Sequence, residues 1–335
     1  MSKTSTEPVR HALHGATMGT RWSAVFYAPT PYDTGPLHAA LQQAVDEVDA
    51  QMSTWKPDSA LMQLNRAPVG SWTLVPDALA HVLRLGLQTG RESGGAFDIG
   101  MGDAVQAWGF GPQAAAADRI RAAMSAPRRP AHEVLTLAGN GVCKHAAISI
   151  DLNGIAKGYG VDRLADTLTQ HGITAGLVGI DGEMRALGLR PDGSAWTVAV
   201  EAPDPERRAP HSILLLQDAA VATSGDYRHW VTVQGQRLAH TMDPQRGAPL
   251  HNAPASVTVV AASCAQADAW ATALMVLGPQ TGQALAVQHG LSALFLLRAP
   301  QGTVHAQGCG PLFAEAPSPS LPTAPAGAPY SKAPQ

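Results

Sequence analysis

The sequence predicts an α+β fold, built of mixed sheets with packed helices rather than a doubly wound parallel sheet. Strand-like segments follow one another in runs instead of alternating strictly with helices. Several longer segments carry apolar residues at helical spacing. No G-x-x-x-x-G-K-[ST] or G-x-G-x-x-G fingerprint occurs: Gly100-Met101-Gly102 and Gly109-Phe110-Gly111 do not complete one, so a nucleotide site here is of another kind.

Residues 17–27 (TMGTRWSAVFY) read as a strand, and residues 36–51 as a helix with Leu37, Leu41, Ala44, Val45 and Val48 on one face. A second helix over 77–92 is entered through Pro76-Asp77 and left at Ser93-Gly94-Gly95. Residues 134–138 and 147–151 read as paired strands joined by a Gly-Asn-Gly turn. A third helix runs from Ile155 to His171 and is closed by Gly172. Strands follow at 174–180, 184–188, 196–200, 212–217 and 219–223, then a hairpin over 229–240 turning at Gln234-Gly235. The chain continues with a strand at 255–261, helices at 264–277 and 279–289, and final strands at 291–298 and 303–307. No repeat of fixed period is present.

The 335 residues are 45% hydrophobic and 15% charged, a composition that supports a sizeable core. A net charge of −3 and the lack of a basic stripe interleaved with aromatics argue against nucleic acid as a partner. Cys143, Cys264 and Cys309 are far apart and form no C-x-x-C pair, which disfavours a disulfide framework or a thiolate zinc site. The stretch MSKTSTEPVRHALHGATMGT lacks the apolar core of a secretory signal and a lipidation cysteine, and no run of apolar residues reaches membrane-spanning length. As written, the chain reads as cytoplasmic. Residues 1–14 and the Pro/Ala/Ser-rich tail, 315–335, are expected to lack order, leaving one folded domain over 15–314.

Five segments carry candidate chemistry. Asp151-Leu152-Asn153-Gly154-Ile155-Ala156-Lys157 ends a strand in a carboxylate and opens a helix with a lysine in its first turn. Such a start attracts anions, and Lys157 adds a point charge for phosphate. Read alone, it is equally a strand-to-helix turn with a capping carboxylate. Asp268 and Thr272 lie four apart on one helix face and offer two hard oxygens of the kind Mg²⁺ accepts. Alone, they read as a surface Asp and a helix-bonded Thr. Ala222–Tyr227 is a polar turn after a strand, and His240 precedes Asp243-Pro244, where a loop histidine near an acid is a candidate proton carrier. Gly94-Gly95-Ala96-Phe97-Asp98 and Trp108-Gly109-Phe110-Gly111 combine backbone access with aromatic faces. Met18-Gly19-Thr20 and Met52-Ser53-Thr54-Trp55 read alone as ordinary core.

Taken in order, these blocks resemble the FAD:protein FMN transferase (ApbE) family from Thr17 to about Leu297. The matching blocks are T-M-G-T; M-S-T-W-x-P-x-S-x-L-x-x-L-N, ending at Asn65; G-G-A-F-D; W-G-F-G; D-L-N-G-I-A-K-G-Y-G-V-D; A-T-S-G-D-Y; H-x-x-D-P-x-x-G; and A-D-A-x-A-T-A-L. The resemblance implies an ApbE-like, T-fold-like architecture. It also implies an activity that moves the FMN half of FAD onto a Thr or Ser hydroxyl of an acceptor flavoprotein, a respiratory or reductase subunit, with magnesium as cofactor and AMP released.

Residue by residue, it implies FAD contacts for Met18 in the first strand, Trp55, Ala96, Phe97, Asp98, Asp151, Lys157 and Met242. It implies metal contacts for Gly154, Asp268 and Thr272 and a catalytic role for His240. Because a free hydroxyl is a poor nucleophile at neutral pH, the expected base is His240, oriented by Asp243. The chain departs from the family at Asp181-Gly182, where a double glycine is common, and at Thr241-Met242, where aliphatic residues are usual; position 157 is acidic in some relatives. Family members are frequently exported, so a periplasmic or inner-membrane-associated location is the alternative to the cytoplasm. Two other functions share the same site: a Mg²⁺-dependent FAD pyrophosphatase and a non-enzymatic FAD-binding protein.

Overall fold

Alternating and helical apolar patterns divide the chain into seventeen strands and eight helices among the residues that the computed structural model describes: 7–204, 207, 209–227, 230–233, 236–251, 253–299 and 303–313. The first part contains β1 (Val9–Thr17), β2 (Thr20–Ala28), α1 (Thr34–Met52), α2 (Ala60–Arg66), β3 (Trp72–Leu74) and α3 (Asp77–Glu92). Three short helices follow, α4 (Gly102–Ala107), α5 (Ala117–Ser125) and α6 (Ala131–Val134), then β4 (Leu135–Ala138), β5 (Gly141–Lys144) and α7 (Ala156–Gln170). Next come β6 (Gly176–Ile180), β7 (Glu183–Leu187), β8 (Trp196–Glu201), β9 (Pro210–Leu216), β10 (Ala220–Gly225), β11 (Trp230–Val233) and β12 (Gln236–Ala239). The chain closes with β13 (Met242–Asp243), β14 (Ala248–Pro249), β15 (Ser256–Ala261), α8 (Cys264–Gln288), β16 (Ser292–Arg298) and β17 (Val304–Cys309).

The main sheet has eight strands in the order β1-β2-β6-β7-β10-β15-β16-β17, and every neighbouring pair is antiparallel. Its two halves repeat one plan, in which a long helix (α7 or α8) precedes a hairpin and packs on the sheet. The halves meet at a thin seam, because β7 and β10 pair only at Ala220↔Arg185 and Val221↔Met184. Beyond that point the strands part. On the other face, the β8–β9 ribbon packs Trp196, Val198, Val200, Leu214 and Leu216 against Ala186, Val221, Val260, Leu294 and Leu296. The alternation of buried and exposed residues along β8 and β9 follows from the two-residue period of a strand.

Several sequence expectations are corrected. Met18 is not in a strand: it forms, with Gly19, a two-residue turn between β1 and β2, both at positive φ (44° and 70°). The strand expected over 17–27 therefore starts at Thr20. Order also begins earlier than residue 15, since β1 pairs along its length with β2, from Val9↔Ala28 to Thr17↔Thr20. Its side chains are mostly exposed or half-buried, so ladder hydrogen bonds rather than an apolar pattern define it.

The partner of 134–138 is β5, reached through Gly139-Asn140, and not 147–151. Residues 149–151 instead run beside 99–102, with Gly102 N–H donating to the Ser149 carbonyl (2.9 Å) and Asp151 N–H to that of Ile99 (2.8 Å). The two helices read at 264–277 and 279–289 are found as read: the stretch numbered α8 is two helices that meet at a kink at Gly278, whose φ of 69° precedes Pro279. The turn at Gln234-Gly235 and the tail 315–335 lie outside the described residues.

Candidate functional site

The N-terminal ends of α7 and α8 clasp each other. Asp162 of α7 accepts the backbone N–H groups of Cys264 (2.8 Å) and Ala265 (2.9 Å), the first residues of α8. In return, Asp268 of α8 accepts the Gly158 N–H of α7 through Oδ2 at 3.0 Å. A carboxylate at a helix start satisfies orphan donors and suits the positive end of the helix dipole. The approach is so close that a Cβ on Gly158 would sit 2.4 Å from the Cys264 carbonyl oxygen.

This clasp puts Asp268 and Thr272 beside the 151–157 turn. A Cβ on Gly154 would lie 3.1 Å from Thr272 Oγ1, and Ser224 Oγ of β10 is 3.1 Å from the same oxygen. The turn is pinned from below: Asn65 Nδ2 donates to the Ile150 carbonyl (2.9 Å), and Asn65 Oδ1 accepts the Ile150 N–H (2.8 Å). Asp151 then accepts from Asn153 N–H (2.9 Å) and Nδ2 (3.1 Å).

A cavity of about 1150 Å³ opens over these groups, between the parting ends of β7 and β10. That exceeds the ~300–1,000 Å³ of most small-molecule pockets. Asp151, Gly154, Lys157, Asp268 and Thr272 line it, together with the divergent strand residues Glu183 and Thr223–Gly225. Met18 lines it from the β1–β2 turn, where a non-glycine residue at positive φ is a locally costly conformation of the kind that clusters at ligand sites. Trp55 stands at the rim, 61% exposed, whereas Ala96 and Phe97 are buried in the wall. Asp98 also lines the cavity, but its Oδ1 is engaged by the N–H groups of Gly100 (2.8 Å) and Ala131 (3.0 Å), so it shapes the loop. His240 and Met242 line a further wall, with the Phe110 ring edge-on to His240 at 6.4 Å. The Trp108 indole N–H holds the following loop through the Gly247 carbonyl (2.9 Å).

Twelve of the thirteen candidate residues thus share one cavity. Asp243 does not line it. Its Oδ1 accepts the N–H groups of Gln245 (2.9 Å) and Arg246 (3.2 Å), so it builds the turn after His240. Two carboxylates outside the thirteen candidates join the site. Glu183 is buried and 2.9 Å from Lys157 Nζ, and Asp181 is 3.4 Å from it. Asp181 takes φ of 60° in the β6–β7 turn, a conformation aspartate tolerates better than most residues. Ser224 was within reach of sequence reading, in the A-T-S-G-D-Y block. Glu183 had no local signal, because its partner is 26 residues away.

The electrostatics are dominated by buried acid. Burial, then the Glu183 charge, pushes Asp268 up to about 7, against the opposing pull of Lys157. Burial raises Asp151 to about 6, with the Asn153 N–H opposing it. For Lys157 burial works downward, but Glu183, Asp268 and Asp181 outweigh it and hold the ammonium above its ordinary range. Among the described residues, seven carboxylates and two lysines line the cavity, so an anionic ligand needs an accompanying cation. Among the described residues no group of three His, Cys, Asp or Glu side chains is placed to hold a metal. The donors at hand are the Asp268 carboxylate and the Thr272 and Ser224 hydroxyls around the Cβ-free Gly154. An all-oxygen set this sparse fits Mg²⁺ sharing its shell with phosphate and water.

An antiparallel α+β domain with a large acidic cavity at the meeting of two helix ends is the architecture of an enzyme of the flavin-transferase class. The chain belongs to the ApbE family, whose sequence model matches residues 18–295. Proteins named FAD:protein FMN transferase from Klebsiella pneumoniae and Vibrio cholerae are 33% and 36% identical to it over 297 and 295 residues, 87% of this chain in both cases and 85% and 88% of theirs. The apo flavinyl transferase ApbE of Pseudomonas stutzeri superposes with a TM-score of 0.79 at 36% identity, covering 90% of this chain and 95% of that one. Among the described residues, no helix is long and apolar enough to cross a membrane.

Proposed function

We propose that this chain is a flavin transferase that binds FAD in the cavity and passes its FMN half to a Thr or Ser hydroxyl of an acceptor flavoprotein, a respiratory or reductase subunit. The observation that carries this reading is the meeting of Gly154, Thr272 and Asp268 at the floor of a dinucleotide-sized cavity. Family membership and the names of the relatives support it.

Asp268, Thr272 and the Gly154 region would hold Mg²⁺, which would supply charge neutralisation and Lewis acidity to the pyrophosphate. Lys157 spends two of its three donors on Glu183 and Asp181, leaving one for a phosphate oxygen. Phe97 in the wall and Trp55 at the rim are aromatic side chains placed to contact the flat parts of FAD. The acceptor hydroxyl oxygen forms a bond to the phosphorus on the FMN side. The bridging P–O bond breaks, and its electron pair leaves with AMP. His240 takes the hydroxyl proton, since an unassisted hydroxyl is a poor nucleophile at neutral pH. Asp243 supports this by building the turn that follows His240.

The test is AMP release from FAD and Mg²⁺, with and without an acceptor subunit. AMP that appears only with the acceptor, one for each flavin attached, supports transfer. Equally fast release with no acceptor present makes the enzyme a pyrophosphatase and overturns the proposal.

A further inference from the structure

Transfer to a protein requires the acceptor polypeptide to reach the cavity, so some part of the rim must receive it. The β8–β9 ribbon has the features of such a surface. β8 supplies Val198, Ala199 and Glu201 to the cavity wall, whereas β9 supplies only its first residue, Pro210. The β8 side of the ribbon therefore borders the opening.

Among the described residues β8 pairs with β9 alone, which leaves the cavity-side edge of residues 196–200 without a ladder partner. Exposed edges are ordinarily blunted by proline, lysine or a bulge. The sequence of β8, Trp196-Thr-Val-Ala-Val-Glu201, has neither proline nor lysine, and the one irregularity in register falls at its end, between Val200 and Glu201. The outward face adjoining this edge is apolar: Thr197 pairs with Leu215 and Ala199 with Ile213, and Leu215 and Ile213 are 65% and 56% exposed. Among the described residues, a second exposed apolar pair on one strand, Trp72 and Leu74 of β3, borders no part of the cavity.

We infer that the edge of β8, with the outward Ile213–Leu215 face, is the docking surface for an extended segment of the acceptor protein, which adds to the ribbon as a strand and carries its hydroxyl residue into the cavity. Backbone pairing supplies affinity without demanding one sequence, and side chains that alternate along the added strand meet the apolar face. The inference rests on the transferase reading.

The probe is an acceptor subunit, in its flavin-free form, that the wild-type enzyme labels with FAD and Mg²⁺. Ile213→Asp and Leu215→Asp each raise the KM for that subunit by about tenfold, the scale of an interface anchor. The kcat and the FAD dissociation constant stay unchanged. Val287→Asp, at a 59% exposed position near the end of α8, alters nothing. Amide exchange in residues 196–201 slows when the acceptor is added to the FAD-bound enzyme. An unchanged KM in both variants, or no new protection in β8, overturns the inference. A self-association of the chain that these variants abolish while acceptor KM is unchanged assigns the face to a second copy instead, and also overturns it. A wild-type enzyme that binds FAD yet labels no subunit removes the transferase reading itself, and the docking surface falls with it.

Discussion

Gly158→Ala is the sharpest perturbation of the helix clasp. The added Cβ would lie 2.4 Å from the Cys264 carbonyl oxygen, 2.7 Å from its carbon and 2.8 Å from the Ala265 Cα. Carbon contacts are comfortable at ~3.5–4.0 Å, so α7 and α8 must part by roughly 1 Å. All three opposing atoms are backbone, and none can swing away. Overpacking of this kind costs about 1–3 kcal/mol. The parting also weakens the Gly158 N–H bond to Asp268, and a hydrogen bond to a charged group contributes about 1.5–3 kcal/mol. Alanine returns at most about 1 kcal/mol of helix propensity. The expected net loss is therefore about 2–5 kcal/mol in unfolding free energy. Because Asp268 moves with its helix, transfer should fall by roughly 10²-fold in whatever protein remains folded. Urea unfolding monitored by tryptophan fluorescence measures the first effect, and flavin attachment to the acceptor measures the second. Gly182→Ala is the control: nothing lies within 4 Å of its Cβ position, and its stability should stay within about 0.5 kcal/mol of wild type. A Gly158→Ala protein as stable and as active as wild type would refute the clasp.

Asp268 and Asp151 hold their protons to higher pH in the fold than in the unfolded chain. Their contribution is thus present at low pH and lost as pH rises through about 6 and about 7. The metal-free protein should melt lower at about pH 8 than at about pH 5, and Mg²⁺ should raise the melting temperature more at the higher pH; a Mg²⁺ effect that is larger in acid counts against Asp268 as ligand. His240→Ala should retain FAD binding and lose about 10²–10⁴ in transfer rate, and a loss of FAD affinity instead would make His240 a binding or structural residue. Phe97→Leu should weaken FAD binding by about tenfold, since a ring contact contributes about 0.5–1.5 kcal/mol; equilibrium titration of flavin fluorescence reports it, and unchanged affinity removes Phe97 from the flavin contacts.

The long helices were legible because burial follows their period: Leu37, Leu41, Ala44, Val45 and Val48 are all buried along α1. Gly278 and Pro279 announced the break in α8. What stayed hidden lacked a local pattern. β1 is an edge strand that its neighbour defines, and α2, α4 and α6 span only four to seven residues each. Residues 147–151 look like a strand but spend their backbone on the 99–102 loop. At the site, ordered motifs named the side chains that the cavity gathers, yet they did not reveal how the gathering is achieved. Reciprocal capping by Asp162 and Asp268 joins residues more than a hundred positions apart, and the Glu183–Lys157 pair is equally non-local. The alternation along β8 and β9 was readable, but its placement beside the cavity was not.

Intact-mass measurement of an acceptor subunit incubated with FAD and Mg²⁺, using wild-type enzyme and a folded Asp268→Asn variant in parallel, bears most directly on the proposed chemistry. Wild type should add the mass of one FMN phosphoester at a Thr or Ser while AMP accumulates in equal amount, and Asp268→Asn should leave the acceptor unchanged. Full labelling by Asp268→Asn, or AMP accumulating beside an unmodified acceptor with the wild-type enzyme, would contradict the account.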